Sequence, residues 1–168
     1  TQKGRTGILF LPNHSALIDP VLMVALLYTR FKPRPLADEH QVKRTAFGKV
    51  ALFFGSRTLP NLEREGAHAR ERMRAAVAGL AEDLKNGENV LLYPAGRLKR
   101  GYLEDLGSMS GTETLVKSVT DVRIVLVRHN GLWGSGFSLA FAGRMPDFGP
   151  AVLRGLKGFC YPVLNCWA

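Results

Sequence analysis

Residues 7–20 read Gly7-Ile8-Leu9-Phe10-Leu11-Pro12-Asn13-His14-Ser15-Ala16-Leu17-Ile18-Asp19-Pro20 and run on into Val21-Leu22-Met23-Val24-Ala25-Leu26-Leu27. An apolar run of strand length, a polar turn and a proline suited to the first turn of a helix make a strand–turn–helix unit. The apolar residues at 8–11 are consecutive rather than alternating, which suits a strand covered on both faces. The residues after Pro20 read as a largely buried helix. An imidazole and a carboxylate five residues apart thus fall just beyond the C-terminal end of a strand, where α/β proteins usually keep their chemistry. If the chain turns there, Asp19 reaches back to hold one nitrogen of His14 and leaves the other to take a proton from a hydroxyl. Such a base activates an alcohol without any nucleophile from the protein. Asn13 suits the same turn, because its side-chain amide can fix the backbone. A plainer reading stands beside this one: Asp19 before Pro20 is a good helix N-cap, and His14 simply ends a strand. An H-x4-D match arises by chance in about one chain in seven of this composition, so its weight comes from context.

Working outward, residues 89–93 and 122–127 also read as buried strands, and 34–37 and 137–141 as weaker ones. The clearest helix covers residues 65–86. There Ala69, Met73, Val77, Leu80 and Leu84 recur at helical spacing, Glu63 and Glu65 suit the N-terminus, and Gly87 suits the C-cap. A third helix starts at Ser110, where Ser110-Gly111-Thr112-Glu113 has capping-box spacing. Strands alternating with helices give an α/β fold, with a mainly parallel central sheet flanked by helices on both faces.

At 168 residues the chain suits one domain, 1–168, with a real core. It begins at Thr1 without Met, a few residues before an apparent core strand, as a piece of a longer protein would. The 23 basic against 14 acidic residues give a net charge of +9, which implies an anionic partner: nucleic acid, membrane surface or phosphorylated substrate. Nucleic acid ranks last, because neither a recognition helix nor an aromatic stacking motif is legible. Cys160 and Cys166 lack the spacing of a disulfide framework or a zinc site, so a reducing compartment is the simpler expectation and no metal is called for. No apolar run approaches the ~20 residues that span a bilayer.

Three further stretches carry cations. Tyr93-Pro94-Ala95-Gly96-Arg97-Leu98-Lys99-Arg100 leads from a strand into a basic turn. There Gly96 permits close backbone approach and Arg97 can grip a phosphate or carboxylate, although a solvated basic turn has the same composition. Arg57 and Arg64 lie in or near the loop feeding the long helix, as headgroup ligands or as surface residues. Lys43-Arg44 precedes the apolar run Ala46-Phe47-Gly48-Lys49-Val50-Ala51-Leu52-Phe53-Phe54, which suits a membrane interface or plain core packing.

The order of these blocks resembles the glycerolipid acyltransferase family of the lysophosphatidic acid acyltransferase type. The blocks are N-H-x4-D-P after a strand, F-G-x6-G with an Arg-bearing loop, a long helix, a strand ending Y-P-x-G, and the strand at 122–127 followed by Gly131. The resemblance covers about residues 7–135. It implies an O-acyltransferase of phospholipid biosynthesis in which His14 is the general base and Asp19 orients it. The acceptor, a lysophospholipid or glycerol phosphate, would attack the thioester of acyl-CoA or acyl-ACP, a co-substrate rather than a cofactor. Lys43 and either Arg57 or Arg64 would hold the acceptor phosphate, with Asn13, Gly96 and Arg97 completing the substrate-binding set. The protein would work peripherally at the anionic, cytoplasmic face of a membrane. The third block departs from the family's F-P-E-G-T-R: Ala95 stands at the Glu position and Arg97 one place early, while Asn61 stands where the second block expects Arg. Glu104 or Asp105 is then a candidate to supply the missing carboxylate. A non-catalytic lipid- or acyl-carrier-binding module that keeps the fold is the alternative.

Overall fold

The computed structural model describes residues 6–38, 52, 54–59, 62–106, 110–142 and 149–153. In chain order it contains β1 (Ile8–Pro12), α1 (Asp19–Phe31), β2 (Arg34–Asp38), β3 (Arg57–Leu59), α2 (Leu62–Lys85), β4 (Val90–Leu91), α3 (Ser110–Ser118), β5 (Arg123–Val127) and α4 (Leu139–Ala142). The five strands form one sheet in the order β3-β2-β4-β1-β5, and every pairing is parallel. The α/β class and the parallel sheet expected from the sequence are present.

The two-residue period of β1 divides the core. Leu9 and Leu11 point to one face, where Val77, Leu80, Ala81 and Leu84 of α2 and Leu115 of α3 cover them. Phe10 points to the other, against Met23 and Val24 of α1 with Leu91 and Tyr93. Full burial of such side chains contributes about 1.5–3 kcal/mol each before entropy is counted. Helices therefore flank both faces.

Where the chain must come close to itself, small or polar residues do the joining. A Cβ on Gly7 would collide with the Glu88 carbonyl, and the Gly7 N–H donates to the Leu84 carbonyl at 2.6 Å, so glycine lets β1 pass against the end of α2. Gly87 adopts φ +88° just after α2, as expected of its C-cap position. Asn89 stands before β4 rather than in it. Its Oδ1 accepts from the Ile8 N–H at 2.7 Å and its Nδ2 donates to the Phe31 carbonyl at 2.6 Å, so one side chain ties β1 to the end of α1.

The strand expected over 89–93 shortens to Val90–Leu91, and four further sequence expectations are corrected. Residues 137–141 are not a strand; they turn into the short α4, the Ser138 hydroxyl accepting from the Gly134 N–H. Residues 122–127 give β5 as expected, but β5 is the outermost of the described strands on its side and not buried, with Leu126 78 % exposed. The helix after Pro20 is covered on one side only, since Leu26 is 69 % exposed. Asp19 is the first residue of α1 and not its N-cap; Ile18 holds that position, without a side-chain cap. The cap reading fails because the carboxylate turns backwards, as described next.

Candidate active site

Because all strands are parallel, their C-terminal ends lie together, and the loops after β1, β4 and β5 converge there. The loop after β1 supplies His14. Its Nδ1 lies 3.2 Å from Oδ2 of Asp19, whose side chain is 0 % exposed. The same Oδ2 accepts the backbone N–H groups of Ser15 at 2.6 Å and Ala16 at 2.8 Å. The carboxylate therefore folds the 14–19 segment into a closed turn and faces the imidazole from a fixed position. Ordering a buried carboxylate with several donors is what lets it survive without water.

The loop after β4 holds His14 from outside the turn. Its ring stacks on Tyr93, with centroids 4.2 Å apart and planes 30° from parallel. The His14 N–H donates to Oε1 of Glu104 at 3.1 Å, and the His14 carbonyl accepts from the Lys99 N–H at 2.9 Å. Burial, and then the negative charges of Asp19 and Glu104, push the Tyr93 phenol far above its ordinary pKa of 10.0. Its hydroxyl has no hydrogen-bond partner among the described residues. Gly96 sits at φ +62° in the tight turn that follows, closed by its N–H to the Tyr93 carbonyl at 3.0 Å.

The loop after β5 contributes a residue that sequence reasoning missed. His129 places its Nε2 3.0 Å from the second Asp19 oxygen, Oδ1, at a distance for an ion pair but off the line of a hydrogen bond. Asn13 fixes its backbone: Oδ1 of Asn13 accepts the His129 N–H at 2.9 Å, and Nδ2 donates to the His129 carbonyl at 3.0 Å. Nδ2 also reaches the Ser15 hydroxyl at 3.0 Å. The Asn13 amide is thus engaged with the protein itself, fixing the turn. The only sequence signal for His129 was a histidine just after the strand at 122–127. Two imidazoles meet one carboxylate here, yet the described residues contain no group of three or more His, Cys, Asp or Glu arranged to hold a metal ion.

The cationic candidates are distributed differently. Arg97 pairs with Asp105 at 3.4 Å on the exposed loop beside the site. Arg57 pairs with Asp83 of α2 at 2.6 Å, on β3, which ends the order of the described strands three places from β1. Lys43 and the side chain of Arg64 lie outside the described residues. Of the two carboxylates considered in place of the missing glutamate, Glu104 stands against His14 and Asp105 against Arg97. Ala95 is 1 % exposed, so the position itself faces the interior.

A family model described as Acyltransferase matches residues 2–131, which include His14, Asp19, Glu104 and His129. The chain belongs to the acyltransferase family. Acyl transfer is accordingly the chemistry of its relatives, and the His14–Asp19 pair of this acyltransferase is compatible with it. Neither the curated proteins nor the solved structures compared with the chain include a match.

Proposed function

We propose that the chain is an O-acyltransferase that moves a fatty acyl group from an acyl-CoA or acyl-ACP thioester to the hydroxyl of a lysophospholipid or glycerol phosphate. The observation that carries the reading is the buried Asp19 carboxylate set against Nδ1 of His14 at the C-terminal end of the sheet. With the proton of the ring on Nδ1, Nε2 accepts the proton of the acceptor hydroxyl as its oxygen attacks the thioester carbonyl. The tetrahedral intermediate collapses, the carbon–sulfur bond breaks, and the thiolate leaves with the proton that His14 holds. Ester and free thiol are the products, and no protein nucleophile or cofactor enters the balance. The net charge of +9 suits phosphate-bearing donors and acceptors and an anionic membrane surface, where the protein acts peripherally. Among the described residues no helix is long and apolar enough to cross a membrane.

The test is lipid mass spectrometry after incubating the full chain with mixed lysolipids and acyl thioesters. Wild type is expected to form diacyl product. His14→Ala and Asp19→Asn are each expected to lower turnover by about 100- to 10 000-fold. Transfer by His14→Ala at the wild-type rate refutes the base assignment. A folded wild type that binds lysolipid or acyl carrier and transfers nothing supports the binding-module reading instead.

A further inference from the structure

Asp19 has a second imidazole, and the described structure leaves both nitrogens of that ring without a hydrogen bond although they are buried. His129 and His14 are equally enclosed, each 14 % exposed, and they approach different oxygens of the one carboxylate. Oδ2 already takes two backbone N–H groups besides His14, whereas Oδ1 lacks a hydrogen bond and has His129 within reach. A buried carboxylate oxygen without a donor costs free energy, and the donor at hand lies 3.0 Å away. The position of His129 is not accidental. The residue immediately before His14 clamps its backbone on both sides, so the C-terminal ends of β1 and β5 are joined at the two histidines. A small turn of the ring brings Nε2 onto the line of Oδ1, a tightening common in catalytic sites on substrate binding.

We infer that His129 is a positioning residue which donates Nε2–H to Oδ1 of Asp19, so that the two histidines carry opposite tautomers: Nδ1–H on His14 and Nε2–H on His129. Held by donors at both ends, the carboxylate keeps one orientation, and His14 keeps Nε2 bare toward the acceptor. Tyr93 and Glu104, the other titratable groups against His14, stand on its ring face and backbone and do not compete for Asp19. The inference rests on the acyl-transfer reading for its catalytic consequence but not for the tautomers themselves.

Imidazole 15N chemical shifts of the full chain, read with the rings neutral, test it without substrate. Wild type is expected to show a protonated Nδ1 on His14 and a protonated Nε2 on His129. A bare Nε2 on His129 overturns the inference whatever any variant does. His129→Gln keeps a donor near the Nε2 position and is expected to retain the His14 tautomer and most of the turnover. In His129→Ala the His14 ring is expected to relax toward the mixture of a free imidazole, while kcat falls about 10- to 100-fold and KM stays nearly constant. An unchanged His14 tautomer in His129→Ala, or a loss that His129→Gln does not rescue, overturns it as well. If wild type transfers no acyl group, the acyl-transfer reading fails and the wild-type tautomers still decide this one.

Discussion

At the scale of single residues, the site depends on groups that forgo water. Tyr93 gives a stacking face to His14 while its own buried hydroxyl has no hydrogen-bond partner among the described residues and feels the negative charges of Asp19 and Glu104. The phenol is neutral when protonated, and folding raises its pKa. Below the ordinary value of 10.0 the proton is held in both states and the shift contributes nothing to the pH dependence. Above it, the unfolded chain releases the proton and the folded chain does not, so stability falls as pH rises. The slope from this one group is about 1.4 kcal/mol per pH unit. Tyr93→Phe keeps the aromatic contact and removes the ionisation. Denaturant unfolding between neutral pH and pH 11 is expected to show a shallower alkaline limb for the variant. Equal slopes would mean that the phenol titrates normally.

Elements add a second layer, in which caps and connections decide where the side chains arrive. Helix α1 ends at Lys32, which adopts φ +46° and donates its N–H to the Tyr28 carbonyl at 3.0 Å. A lysine in the left-handed region is strained by its Cβ, by about 1–2 kcal/mol. Lys32→Gly removes that strain, partly offset by the greater freedom of glycine when unfolded, and is expected to stabilise the protein by about 0.5–1 kcal/mol in a chemical melt. Destabilisation would show that the lysine side chain contributes more than its backbone costs. The same layer explains what could be read in advance. His14 and Asp19 were legible because five residues and a turn bring them together, so their chemistry is local. His129 was not, since its meeting with Asp19 requires β5 to lie beside β1, and nothing in the composition of either strand states that adjacency. β5 reads as interior because its residues are apolar; its outermost position among the described strands follows from strand order, which apolarity does not encode. The 137–141 run, alternating Phe137, Leu139 and Phe141, loses to serine: Ser135 and Ser138 bond back onto the turn and commit it to α4.

The whole molecule has a distinct side at the C-terminal ends of its strands. There the loop after β4 carries Tyr102 at 82 % exposure, Leu103 at 79 % and Leu106 at 52 %, beside the cations Arg97 and Arg100. Lys99 donates to the Tyr102 carbonyl at 3.1 Å and lies 4.6 Å from the Trp133 ring, which ties this loop to the one after β5. Apolar side chains projecting among cations near His14 suit the anionic membrane surface proposed above. Replacing Tyr102 and Leu103 together by serine is expected to weaken sedimentation with anionic vesicles by at least about tenfold. The unfolding midpoint should stay near that of wild type. Retained sedimentation would move the contact to another face.

The strand order has one more consequence, for how the chain is made. β1 pairs with residues 90–91 on one side and 123–127 on the other. A ribosome therefore releases His14 and Asp19 long before either neighbouring strand exists. Until residues 90–91 are free β1 offers two unpaired edges, and until residue 127 is free it still offers one, which invites chaperones or misassembly. Since Asn13 closes onto His129 only when β5 docks, the docking of β5 is also the step that completes the candidate-site geometry. A nascent or truncated chain thus gains its His14–Asp19 pair before it has the scaffold to aim it.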